Sequence, residues 1–203
     1  MACKDVRIGE DFKTRIEGKI YVLGLNLSEL DSIHAFAHDF KKSCGMLHIL
    51  IHLEGTYCHE RVETRDGIEL SFATNVLGTL LLTTLLLDLL EKSAPSRVVL
   101  VCSPTMLKEK LEIEDVEFRQ AEHFDPWKVY TQNQRRLVTL TELMARKHRA
   151  SGVAYYSCHT GVSCFYLHSP LPNAQTMVSC SCSCCGGEAC EPFDVAAHLQ
   201  KVS

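Results

Sequence analysis

Short apolar runs alternate along this chain with longer stretches in which apolar residues recur every three or four positions. Residues 20–25 and 47–53 have the length and composition of buried strands. Between them Leu30, Ile33, Phe36, Ala37 and Phe40 keep helical spacing, and Asn26 and Ser28 can cap that helix. Residues 66–91 predict a second helix. Its leucines at 80, 81, 82, 85, 86, 87, 89 and 90 make it apolar nearly all round, which implies burial on more than one side. Residues 97–102 are rich in β-branched side chains and predict a third strand, and residues 153–158 a fourth. Residues 104–127 predict a polar connection with a turn at Pro126-Trp127. Residues 130–149 then predict a helix through Leu137, Leu140, Leu143 and Met144. Strand and helix in alternation predict βαβ units, with a parallel sheet covered by helices.

Composition narrows the class without changing this outline. The chain has 203 residues, 46% hydrophobic and 23% charged, with formal net charge -4. That length and apolar fraction suffice for one buried core, and the weak acidity argues against nucleic-acid binding. The greasiest stretch, residues 76–90, contains Asp88 and falls short of the about 20 apolar residues that a spanning helix needs, so no transmembrane segment is expected. The opening Met-Ala-Cys-Lys-Asp-Val-Arg lacks a signal-peptide core, which predicts a cytoplasmic protein with reduced thiols. Of its 11 cysteines, those at 180, 182, 184, 185 and 190 crowd together in a run with few bulky apolar residues. Residues 169–203 are therefore expected to form a disordered, Cys-rich tail behind a domain at 1–168. Clustered thiolates suit soft metals, but Cys-x-Cys-x-Cys-Cys lacks the paired knuckles of a structural zinc site, so no metal is assigned.

The order of motifs resembles the short-chain dehydrogenase/reductase family, in the branch of the retinol dehydrogenases and their lipid-directed relatives. The similarity runs from residue 2 to about residue 165. Ala2-Cys3-Lys4-Asp5 is similar to the end of the family's second strand, where a basic residue faces the 2′-phosphate of NADP. Thr74-Asn75-Val76-Leu77-Gly78 is similar to its Asn-x-x-Gly helix, and Ser93-Ala94-Pro95-Ser96-Arg97 to the approach to its next strand. Ser103 stands in the place of the catalytic serine, Tyr130 in that of Tyr-x-x-x-Lys, and His159-Thr160-Gly161 resembles the His-Pro-Gly turn. The resemblance implies an α/β fold: an incomplete Rossmann-like, doubly wound parallel sheet without the first strand and its Gly-rich loop. It implies Asn75, Ser103 and Tyr130 as catalytic residues, Lys4, Asn26, Gly55 and Gly161 as cofactor-binding residues, and NADP as cofactor.

Several positions depart from the family pattern. The family's lysine lowers the pKa of the tyrosine, whose ordinary value of about 10 is too high for a base at neutral pH. Here that position is Gln134, a neutral amide, and Arg135 and Arg136 project about 100° and 200° further round the helix. The family's Asn-Asn-Ala-Gly is His52-Leu53-Glu54-Gly55, which places a carboxylate where an anionic cofactor would lie, and the acidic residue that meets adenine is Asn26. In the spatial order 3-2-1-4-5-6 the strands at 20–25 and 47–53 are left with bare edges. Either they pair directly or residues 1–45 are loosely held, and a marginal monomer is expected.

Two functional readings follow. One is an NAD(P)-dependent oxidoreductase of a lipid-like alcohol or ketone, retinoid or steroid in type, impaired in this chain. The other is a non-catalytic protein that keeps the fold and partners an intact relative, or itself, through helices 66–91 and 130–149. A third reading makes the cysteines at 180–190 a metal- or redox-responsive element. Asn75 either orders a water in a proton relay or makes a hydrogen bond across a helix kink.

Overall fold

A computed structural model describes residues 1–159. Gly161, the tail expected at 169–203 and the cysteines at 180–190 lie outside the described residues. In chain order, β1 (Ala2–Cys3) leads through α1 (Val6–Lys13) to β2 (Leu23–Gly24), and α2 (Leu30–Ser43) carries the chain to β3 (Ile49–His52). A helical passage follows, made of α3 (Leu70–Phe72), a π-helical stretch (Ala73–Gly78), α4 (Thr79–Leu85) and α5 (Leu87–Lys92). Then come β4 (Ser96–Val101), a 3-10 turn (Pro104–Lys108), α6 (Pro126–Lys147) and β5 (Val153–Cys158).

The strands form two parallel sheets. β1 pairs with β2, while β4 lies between β3 and β5, with Leu50 opposite Val98 and Val98 opposite Tyr155. One face of β4 is buried, through Ser96, Val98 and Leu100, while on the other Arg97 is exposed and Val99 and Val101 are half-buried. Val98, Leu100 and Cys102 pack with Leu90, Leu137, Val153 and Tyr155, so α5 and α6 share the face above β4 and β5.

Of the two expected arrangements, direct pairing of the strands at 20–25 and 47–53 does not occur. The first strand shrinks to Leu23–Gly24 and takes Ala2–Cys3 as its partner. No ladder joins the two sheets. Residues 1–45 are nevertheless held, by packing rather than by a ladder: Leu25, Leu27, Ile33 and Ala37 bury against Leu82, Leu86 and Leu89. The approach is closest at Gly78, where a Cβ would stand 2.2 Å from the Leu27 carbonyl oxygen. Only glycine admits that contact.

Two further expectations are corrected. The helix predicted at 66–91 begins at Leu70, because the Glu69 carboxylate accepts from the Ser71 and Phe72 amides at 2.8 and 2.6 Å. It also breaks at Leu86, whose backbone leaves the helical region (φ -97, ψ 4). The turn expected at Pro126-Trp127 is the first turn of α6. Asp125 accepts from the Trp127 and Lys128 amides, and Pro126 occupies the position where its lost N–H costs nothing. The short helix α1 was not predicted. Gly9 lets it lie directly on β1 and β2, since a Cβ there would meet Val22 and Cys3.

Candidate active site

β4 delivers Ser103 to the sheet's C-terminal end, and α6 presents Tyr130 opposite it. The Ser103 hydroxyl oxygen accepts from the Thr105 amide at 3.4 Å and from the Thr105 hydroxyl at 3.1 Å, which caps the 3-10 turn. Ser103 lies close enough to the Tyr130 phenol to influence its ionisation. Burial drives the phenol above its ordinary range, the neighbouring Ser103 opposes that rise, and Cys102 adds to it. Cys102 itself is pushed up to about 12 by burial, with Cys158 contributing, so it stays a thiol.

Gln134, one turn beyond Tyr130, is 3% exposed. Its Oε1 accepts from the Ser103 amide at 2.8 Å, so the side chain ties α6 to the end of β4. Arg136 faces elsewhere. It lies over the Phe72 and Phe118 rings and donates to the Glu112 and Val116 carbonyls and to Asn133. The pair can therefore hold an oxygen through hydroxyl donors, but Tyr130 remains a neutral phenol at neutral pH.

Asn75 lies inside the π-helical stretch, 1% exposed. Its Oδ1 accepts from the Thr56 amide at 2.7 Å and its Nδ2 donates to the Thr56 carbonyl at 2.8 Å. Asn75 thus ties the π-helical stretch to the loop after β3. That tie fixes Tyr57, whose ring meets Tyr130 edge-on at 5.7 Å between centroids and His59 at 5.1 Å. Tyr57 escapes sequence reasoning because it lies in a polar loop with no periodicity. Two residues past Gly55, it was close to a segment already singled out. His52 was noted only as a departure, yet it is buried with its Nε2 2.9 Å from the Thr83 hydroxyl, and burial lowers its pKa to about 4.

The cofactor-side residues are arranged differently. Lys4 and Glu54 stand just past the C-terminal ends of β1 and β3, within electrostatic reach of each other. Neighbouring atoms raise the Glu54 carboxyl although solvent still reaches the residue, and the Lys4 charge opposes that rise. Asn26 spends its Oδ1 on Ser28, accepting from the amide at 3.1 Å and the hydroxyl at 2.8 Å. Gly55 has room, since a Cβ there would lie 3.9 Å from Asn75 Oδ1. A carboxylate beside Lys4, and an Asn26 acceptor already engaged, do not fit the phosphates and adenine of a dinucleotide.

Fold and site together define a Rossmann-like α/β protein with a serine–tyrosine pair at the sheet's C-terminal end. No family model matches the chain. Among curated proteins it is 36% identical over 166 residues to human "Dehydrogenase/reductase SDR family member 12", covering 79% of this chain and 51% of that protein. It is 31% identical over 204 residues to human "Retinol dehydrogenase 11", covering 89% of this chain and 64% of that one. Among solved structures, an uncharacterized protein from Mycobacterium Paratuberculosis superposes with TM-score 0.71 at 30% identity, over 80% of this chain and 58% of the other. The RhlG/NADP active-site complex of Pseudomonas aeruginosa superposes with TM-score 0.61 at 20% identity, over 77% of this chain and 59% of the other, which speaks to fold alone. The chain belongs to the short-chain dehydrogenase/reductase family and is related to the retinol dehydrogenases. It spans about half the length of the curated relatives it matches. No helix among the described residues is long and apolar enough to cross a membrane.

Proposed function

We propose that this chain binds the oxygen of a lipid-like alcohol or ketone at Ser103 and Tyr130, as an oxidoreductase relative impaired in hydride exchange. Ser103 and Tyr130 supply the hydroxyl groups that orient the substrate oxygen. Tyr130 can donate a proton to a developing alkoxide, but as a base it lacks the neighbouring charge that would make it effective. The observation that carries this reading is Gln134: a buried neutral amide, bonded to the Ser103 backbone at 2.8 Å, in the position of the family's lysine. The family implies NADP or NAD, whose nicotinamide would supply or accept hydride. Glu54 and Asn26 as they stand do not fit its anionic and adenine parts.

Titration of the purified chain with NADPH, followed by its fluorescence, tests the reading. No saturation at millimolar NADPH is expected. Saturation in the micromolar range would overturn the impaired reading. The same fluorescence titration with a ketone ligand separates the alternative: if neither ketone nor cofactor binds, the chain is a non-catalytic family member acting through protein contacts. The main defect is placed in cofactor capture, so Gln134→Lys alone should not restore turnover.

A further inference from the structure

The loop after β3 carries two rings that the oxygen-binding reading leaves unused, Tyr57 and His59. They continue from Tyr130 as a row. Tyr57 stands edge-on to Tyr130 at 5.7 Å between centroids and 64° between planes, and His59 edge-on to Tyr57 at 5.1 Å and 77°. Aromatic pairs favour this arrangement because the positive edge of one ring meets the negative face of the other. A loop residue keeps such a place only where its backbone is held. Here Asn75, 1% exposed, engages both the amide and the carbonyl of Thr56, directly before Tyr57. Tyr130, by contrast, is only half-buried in the early turns of α6, where a helical tyrosine has two favoured χ1 positions. We propose that Tyr57 is a positioning residue. Its ring, held through the Asn75–Thr56 bonds and backed by His59, confines the Tyr130 phenol to its place beside Ser103. Asn75 thereby acts on Tyr130 at two removes, through Thr56 and then Tyr57. What the phenol is held for rests on the oxygen-binding reading above; that it is held rests on the ring contacts.

Isotope-labelled tyrosine reads this directly by NMR, since three-bond couplings separate one fixed χ1 from an average of two. The Tyr130 signal among the 6 tyrosines is assigned by its loss in Tyr130→Phe. Tyr57→Leu removes the neighbouring ring, Tyr57→Phe keeps it, and Tyr57 is half-buried in a loop, so the fold should survive both. The expected result is a fixed Tyr130 χ1 in the native chain and in Tyr57→Phe, and an averaged one in Tyr57→Leu and in Asn75→Ala. The same signal, titrated with methyl octyl ketone as a plain apolar probe, gives an affinity. That affinity should fall about two- to tenfold in Tyr57→Leu, the range an edge-on pair contributes, and recover in Tyr57→Phe. Couplings unchanged in Tyr57→Leu would overturn the proposal, and so would averaged couplings with unchanged affinity, because Tyr57 would then be a neighbour that positions nothing. A fixed χ1 in Asn75→Ala would break the link through Thr56 and overturn it as stated. If the native Tyr130 signal ignores the ketone up to its solubility limit, the oxygen-binding reading falls, and the couplings still decide whether Tyr57 confines the phenol.

Discussion

The two sides of the candidate site are built differently. On the β4–α6 side, Ser103, Gln134 and Asn75 are buried, and each is bonded to a neighbour across a tertiary contact. On the other side, Lys4 after β1 and Glu54 after β3 are exposed, Asn26 serves its own turn, and the β1–β2 sheet is only two strands of two residues each. The lesson is physical. Ser103, Gln134 and Asn75 also hold neighbouring elements together, so the fold resists their loss, whereas Lys4 and Glu54 sit on the surface, where substitution costs the fold little.

The largest expected effect strikes the joint between these regions. Gly78→Val puts side-chain carbon into the Leu27 carbonyl, a backbone atom that cannot swing aside, and should cost several kcal/mol or abolish folding. Gly9→Ala meets only the Val22 and Cys3 side chains and should cost about 1–3 kcal/mol. Comparable losses in denaturant unfolding would show that β1 and β2 are anchored as firmly as the core.

Acid provides the next lever. His52 has a folded pKa of about 4 against 6.5 for an exposed histidine. The unfolded chain thus takes up this proton first as pH falls. Stability is full above pH 6.5 and is lost between 6.5 and about 4, by about 3 kcal/mol in all. His52→Asn should flatten that part of a stability–pH curve, and an unchanged slope would refute the assignment.

Asn75→Ala removes both bonds to Thr56 and should cost about 1–3 kcal/mol, with faster hydrogen exchange at Thr56 and Tyr57 but not in β4. The smallest effect belongs to the exposed side. Glu54→Gln should leave the unfolding midpoint unchanged while improving NADPH binding no more than a few-fold, because the screened charge is one fault among several. A large gain from this change alone would make Glu54 the principal barrier and erase the contrast between the two sides.

The helices and strands around the site were readable because they bury one continuous face. β5 matches its apolar run residue for residue, and α2 follows Leu30 to Phe40. The candidate residues Asn75, Ser103 and Tyr130 were legible from the order of motifs, and the structure brings Ser103 and Tyr130 together. Asn75 joins them only through Thr56 and Tyr57. What escaped was set by single contacts: the Glu69 and Asp125 caps that moved two helix starts, and Gly9, whose missing side chain seats α1 on its strands. Such contacts leave no periodic trace.

By itself, then, the sequence determined the alternation of strands and helices, the family, and the replacement of a lysine by Gln134. Apolar spacing and residue identity are local properties, and a chain carries them in any conformation. Tertiary structure decided how the two sheets are joined, through Leu27 against Gly78 and α2 against α4 rather than through a ladder. It also decided that Gln134 turns to the Ser103 amide and that Asn75 turns to Thr56. Burial leaves each of those amides one set of partners, and only the folded chain brings residues 31 and 19 positions apart close enough to satisfy them.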